Sequence, residues 1–186
     1  LNIRRVSSRT VYENPWMTVR EDRFERPDGS RGLYGVVDKP DFALVIPAED
    51  GGFHLVEEYR YPIGRRTWSF PQGSFPAGRT GTPEDLARAE LAEETGLRAA
   101  SLTRIGYLHG AHGVTGQGFH VFLAMGLEHG EPDREDTERD MRQAFVPRRE
   151  FERMIRAAEI TDAGTLAAYT LLHLHEHGTA GRRDEP

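Results

Sequence analysis

One short segment constrains the fold more than any other. At Thr82-Pro83-Glu84-Asp85 a long run of strand-like sequence gives way to a helix start. Thr82 offers a side-chain oxygen as N-cap, and Pro83 sits at the first helical position, where no N–H is missed. The acids of the first turn meet the positive end of the helix dipole. Asp85 is a shorter substitute for the Glu of a capping box. The pattern predicts a helix to about Thr95, with Gly96 as its left-handed stop.

What flanks this helix is mostly strand. Val11–Tyr12 and Trp16–Arg26 are rich in β-branched and aromatic residues, Asp28-Gly29 is a hairpin signal, and Leu33–Val37 is the expected return strand. Phe42–Ile46 reads FALVI, a continuous apolar run that fits a strand buried on both faces. Asp50-Gly51-Gly52 turns the chain into Phe53–Tyr61, and Thr67–Phe70 is a further short run ended by Pro71. Strands resume at Leu102–Leu108, Phe119–Ala124 and Ala144–Val146. Two more helices are expected, Arg148–Ala158 and, capped by Asp162, Ala163–His175. This order predicts a mixed sheet covered by helices, an α+β or α/β/α sandwich preceded by a β-rich extension. The expected division is 1–40 for the extension, 41–177 for the main domain and 178–186 for a mobile tail.

Composition narrows the function. With 186 residues, 37% hydrophobic and 29% charged, the chain is long enough to bury one real core. Its net charge is −6, against the basic footprint that nucleic-acid binding requires. No stretch reaches the roughly 20 apolar residues of a membrane helix, and Leu1–Thr10 lacks the apolar core of a secretory signal. The sequence contains no Cys, so disulfides and thiolate chemistry are excluded. The expectation is a cytoplasmic protein that binds neither nucleic acid nor membrane.

The chemistry lies in Gly73–Leu97, GSFPAGRTGTPEDLARAELAEETGL. Glu90, Glu93 and Glu94 stand at i, i+3 and i+4, which puts three carboxylates on nearly one helix face. Like charges at that spacing repel by a few tenths of a kcal/mol per pair, roughly. Neither Ala89, Ala92 nor Thr95 neutralises them. A hard divalent cation does, because Mg²⁺ takes carboxylate oxygens and keeps waters for a phosphate substrate. The bland alternative is a solvated acidic face.

The same residues resemble the Nudix box, G-x5-E-x7-R-E-U-x-E-E-x-G-U, where U is bulky and apolar. Glu90, Leu91, Glu93, Glu94, Gly96 and Leu97 match its second half in register. The loop after Gly73 is two residues longer than the pattern, Gly81 stands where the first Glu belongs, and Ala89 replaces the Arg. Over about residues 10–175 the chain is similar to the ADP-ribose pyrophosphatases of that family. Tyr12–Trp16, Val56–Pro62 and Glu159–Thr165 carry the likeness outside the box. The resemblance implies a Nudix α/β/α fold and Mg²⁺- or Mn²⁺-dependent hydrolysis of a nucleoside diphosphate linked to some group X, with ADP-ribose or another nucleotide sugar favoured. It also implies a homodimer in which N-terminal strands reach the partner's substrate site. Modified nucleoside triphosphates and dinucleoside polyphosphates are the alternative substrates. A weakly catalytic nucleotide-binding regulator is the alternative role.

Carried over residue by residue, the resemblance makes Glu90 and Glu94 metal ligands, Glu93 a ligand or base, and the Gln72 backbone carbonyl a further metal contact. It places a catalytic acid in the loop 135–140, with Glu138 ahead of Asp136. Arg60 matches a phosphate-contacting Arg, for which a strand-end ion pair with Glu57 or Glu58 is the alternative. Arg65 and Arg66 are further phosphate candidates. Trp16 is set against an adenine ring, or else packs in a core or interface. Gln117 occupies the acidic end of a loop that in the family carries Ser-Pro-Gly, which is absent from His109–Gln117. His109, His112 and His120 are expected to form hydrogen bonds rather than a metal site. His173, His175 and His177 step by about 200° around a helix and cannot all chelate from one face.

Overall fold

The computed structural model describes residues 2–75, 78, 80–134 and 140–178. Among them ten strands and three α-helices form two separate sheets. Strands β1 (Arg4–Asn14), β2 (Met17–Glu25) and β3 (Arg31–Asp38) make a three-stranded antiparallel sheet. The expected Asp28-Gly29 turn joins β2 to β3, with Gly29 at φ 81°, a conformation that favours glycine. β1 begins at Arg4, well before the expected Val11. Its polar residues are held by cross-strand pairing, Arg4 to Glu25 at 3.0 Å and Arg9 to Glu21 at 3.4 Å.

The second sheet has seven strands: β4 (Phe42–Glu49), β5 (Gly52–Arg60), β6 (Arg65–Ser69), β7 (Gln72–Gly73), β8 (Arg98–His109), β9 (Gly118–Glu128) and β10 (Arg142–Pro147). A 3₁₀ turn, Tyr61–Ile63, links β5 to β6. The path runs β10-β5-β4-β9-β8, with β6 on β5 and β7 on β4. β4 and β9 pair in parallel, Phe42 opposite Phe119, and the remaining neighbours are antiparallel.

Alternation along β4 sorts the core into two layers. Leu44 and Ile46 face α2 (Arg148–Arg156) and α3 (Ala163–Gly178), in a cluster with Phe53, Phe70 and Phe151. Ala43 and Val45 face α1 (Pro83–Thr95), against Leu86 and Leu91. All of FALVI except Phe42 is therefore buried, as the apolar run required. Phe53 meets Phe70 and Phe151 edge-on at 5.6 and 5.2 Å. Each such side chain contributes about 1.5–3 kcal/mol by leaving water. Helices on both faces of a mixed sheet give the α/β/α sandwich read from the sequence.

The caps form as the sequence reading expected. The Asp85 N–H donates to Thr82 Oγ1 at 3.1 Å, the Thr82 N–H donates to Asp85 at 3.0 Å, and Gly96 closes α1 at φ 73°. Asp162 accepts from the Thr165 N–H at 2.7 Å and opens α3. Of the tail expected at 178–186, Gly178 ends α3 and residues 179–186 lie outside the described residues. No described helix is long and apolar enough to cross a membrane.

Candidate active site

Strand direction brings Arg60, Gln72 and Gln117 to one end of the large sheet. β4 and β9 start there, β5 ends there, and β7 pairs with the first residues of β4. The β8–β9 loop, His109–Gln117, lies at the same end.

Glu90, Glu93 and Glu94 lie on α1 as the spacing required, and Glu94 is only 3% exposed. The Gln72 N–H points at the Glu94 carboxylate from 3.3 Å. The Glu90 carboxylate lies against the Cα of Gly73, where any Cβ would collide with it. A larger residue at 73 would push the carboxylate aside, so glycine in β7 leaves Glu90 its place. The Gln72 side chain donates to Asp162 at 3.3 Å, and Asp162 also caps α3. Gln72 therefore couples the carboxylate helix to α3. The sequence reading assigned it a carbonyl role; the structure adds contacts through its N–H and its amide.

Beside Asp162 opens a cavity of about 280 Å³, lined by Arg60, Ile63, Thr67, Ser69, Thr161 and Asp162. Arg60 pairs with Glu58 at 2.5 Å, so the ion pair expected as its alternative role exists, on the wall of the cavity. Burial pushes the Glu58 carboxyl above its usual range. Arg60 opposes that shift, and the negative charges of Asp140 and Asp162 add to it.

Two arginines bracket the loop that carries Glu138 and Asp136, residues that lie outside those described. Arg134 donates to the carbonyls of Glu94 at 3.0 Å and Met141 at 2.6 Å. Arg66 donates to the Glu57 carboxylate at 2.9 Å and to Asp140 Oδ2 at 2.5 Å. Further back, the Asp133 N–H donates to the Glu93 carbonyl at 3.0 Å. Arg66, offered to phosphate by the sequence reading, is engaged by Glu57 and Asp140. Arg65 donates to Thr161 Oγ1 at 2.7 Å.

The departures from the box have local explanations. Gly81, in place of the first Glu, has the Phe75 ring against it, so apolar contact occupies that space. Ala89 is half-buried. Its neighbour Arg88 donates to Glu84 at 2.9 Å and to the Ala99 carbonyl at 3.2 Å, so its charge serves the outer face of the helix.

Other candidates are placed as follows. Gln117 donates to the Pro40 carbonyl at 2.6 Å, which ties the β8–β9 loop to the inter-sheet linker. Trp16 is 74% exposed, so it does not pack in the core of its own chain. His120 lies tilted against the Tyr107 ring at 4.8 Å, and its buried Nδ1 has no hydrogen-bond partner among the described residues. His173 and His177 face each other at 4.2 Å, as i and i+4 residues do. Sequence reasoning missed Asp162 as a site residue, and Glu58 beyond its pairing with Arg60. Their signal was tertiary: Gln72 and Asp162 meet across 90 residues.

A set of carboxylates on one helix face, at the sheet end where loops converge, is the arrangement expected of a Nudix hydrolase. The chain belongs to that family: residues 38–169 match the NUDIX domain, and residues 3–37 match the nucleoside diphosphate sugar hydrolase N-terminal domain. It is 30% identical over 181 residues to an ADP-ribose pyrophosphatase of Mycobacterium tuberculosis, spanning 96% of this chain and 86% of that protein. It is 28% identical to an ADP-ribose pyrophosphatase of Bacillus subtilis, with 92% of each covered. In fold it matches the crystal structure of an ADP compounds hydrolase, with a TM-score of 0.84, 98% of each chain covered and 21% identity.

Proposed function

We propose that the protein hydrolyses the pyrophosphate bond of a nucleoside diphosphate linked to a sugar, with ADP-ribose the preferred substrate. The observation that carries this is the pairing of the Glu90–Glu94 face with the Arg60–Asp162 cavity through Gln72. One side offers oxygen ligands and the other a pocket with a guanidinium on its wall. The N-terminal match to nucleoside diphosphate sugar hydrolases and the two ADP-ribose pyrophosphatase relatives support the substrate class.

The α1 carboxylates fit a hard divalent cation, Mg²⁺ or Mn²⁺, since all their donors are oxygens and Gly73 leaves room for Glu90. Such a cation neutralises phosphate charge and acidifies a bound water. Glu90, Glu93 and Glu94 would hold it, and the Gln72 N–H orients Glu94 for that task. Arg60 places a permanent forked charge beside the pocket, suited to a phosphate oxygen. Glu138 takes the proton of the attacking water, on a loop whose flanks are pinned by Arg134 and Arg66.

The three-stranded sheet supports a homodimer. Val11, Tyr12, Trp16, Leu33 and Tyr34 are all about half exposed or more, an unusual concentration of apolar surface for a monomer. Trp16 lies in that exposed set, where it meets either the partner or the partner's substrate.

A panel of ADP-ribose, other nucleotide sugars, modified triphosphates and dinucleoside polyphosphates, assayed with Mg²⁺ or Mn²⁺, tests the reading. ADP-ribose should yield AMP and ribose 5-phosphate. Glu94→Gln should lower kcat by about 10³-fold, near 4 kcal/mol, with the circular dichroism of the native fold retained. An unchanged rate removes Glu94 from the reaction. Preferential cleavage of triphosphates overturns the substrate assignment.

A further inference from the structure

The opposite end of the large sheet carries a second constellation. Glu49 closes β4, His54 lies in β5, and His129 follows β9 directly. Along β4, Glu49 shares parity with Ala43 and Val45, which face α1. His54 alternates with Phe53 and Leu55, which face α2 and α3, so it too points to the α1 side. Glu49 Oε2 lies 2.9 Å from His54 Nε2 and 3.2 Å from His129 Nε2. All three ligand atoms fall within 4.8 Å of one another. Tetrahedral Zn²⁺, with bonds near 2.05 Å, separates its ligand atoms by about 3.4 Å.

We infer that Glu49, His54 and His129 form a binding site for a divalent transition metal of the zinc class, distinct from the α1 carboxylates. Two imidazoles and one carboxylate select against Mg²⁺, which demands oxygen ligands, and favour Zn²⁺ and its neighbours. His54 is 5% exposed, so its ring is fixed by packing. Behind it, Gln143 Nε2 lies 3.5 Å from His54 Nδ1. That arrangement suits a ring whose proton is on Nε2, facing Glu49. On metal binding the proton moves to Nδ1, and a flip of the Gln143 amide presents its oxygen as acceptor, the outer support that ligating histidines require. The His129 side chain is 60% exposed, which leaves the fourth position to a water.

The location has a structural consequence. After His129 the chain runs past the end of α1, where Gly130 packs on Gly96, and on to Asp133 and Arg134, which bond the Glu93 and Glu94 carbonyls. An ion on His129 would fix the origin of this segment to the sheet.

Calorimetric titration of the whole protein with Zn²⁺ in excess Mg²⁺ tests the inference, because excess Mg²⁺ competes at oxygen ligands and not at imidazoles. Wild type should bind Zn²⁺ with micromolar or tighter affinity and gain thermal stability. His129→Ala should weaken binding by about 100-fold and remove the stabilisation, and Gln143→Leu should weaken it about tenfold. His129 is exposed, so its loss leaves the fold intact, and Glu49→Gln gives an independent second variant. His177→Ala should change nothing, which separates this site from the His173–His177 pair. The inference is overturned if wild type binds no Zn²⁺ in the micromolar range, or if binding survives His129→Ala and Glu49→Gln.

Discussion

The two sheets of this protein have opposite relations to water. In the seven-stranded sheet, β4 is buried along most of its length and helices cover both faces. In the three-stranded sheet, β1 is exposed almost throughout, and no helix among the described residues covers its apolar side chains. The large sheet gains its stability from its own core. The small one is tied to the rest by few contacts, among them the Val37 N–H to the Val114 carbonyl at 2.8 Å and the Tyr34 hydroxyl to the Gly113 carbonyl at 2.7 Å. A strand pattern alone therefore does not reveal whether a sheet forms a core or lies at the surface.

The largest expected contrast is in stability. Leu91→Ala, in the layer between α1 and β4, should destabilise the fold by about 3 kcal/mol in denaturant unfolding. Leu33→Ala on the small sheet should cost the isolated chain within about 0.5 kcal/mol. Equal effects would break the distinction between the two sheets.

A smaller effect should appear in assembly. If the small sheet is the dimer surface, Trp16→Ala should weaken self-association by about 30-fold, near 2 kcal/mol, in sedimentation analysis. A variant that associates as tightly as wild type would place the interface elsewhere.

The subtlest test concerns acid. In the helical layer over the large sheet, Arg148 donates to both oxygens of Glu176, at 2.6 and 2.5 Å, and the Tyr169 hydroxyl donates to Glu152 at 2.8 Å. Arg148 holds the Glu176 carboxyl below its usual range, and the Tyr169 hydroxyl does so for Glu152. Depressed carboxyls contribute stability that is complete above their unfolded pKa and is lost as pH falls through the folded one. Glu58, raised by burial, runs the other way, and its part falls away as pH rises. Glu176→Gln should flatten the loss of thermal stability between about pH 5 and 3, by a few tenths of a kcal/mol. A slope identical to wild type would deny the clamp a role.

Much of the large sheet was legible in the sequence because its signals are local. The FALVI run, the Thr82–Asp85 box and the Asp162 cap each announce themselves within a few residues. The α1 carboxylates were legible for the same reason: their helical spacing is their geometry. The long strand β1 was not legible, since Arg4 and Arg9 read as strand residues only once Glu25 and Glu21 lie opposite. Nor were Glu49, His54 and His129, which β4, β5 and the residue after β9 bring together. The engagement of Arg66 with Asp140 was hidden in the same way, 74 residues apart.

The side-by-side alignment of β4 with β9 also bears on how the chain is made. Phe42 cannot find Phe119 until the ribosome has released both, together with every residue between them. Until then the apolar stretch Phe42–Ile46 lacks one of its permanent neighbours. Lys39 and Asp41 on one side, Glu49 and Asp50 on the other, bracket it with charge. Those four residues are positioned to discourage self-adhesion during translation, a duty that no longer shows once folding is complete.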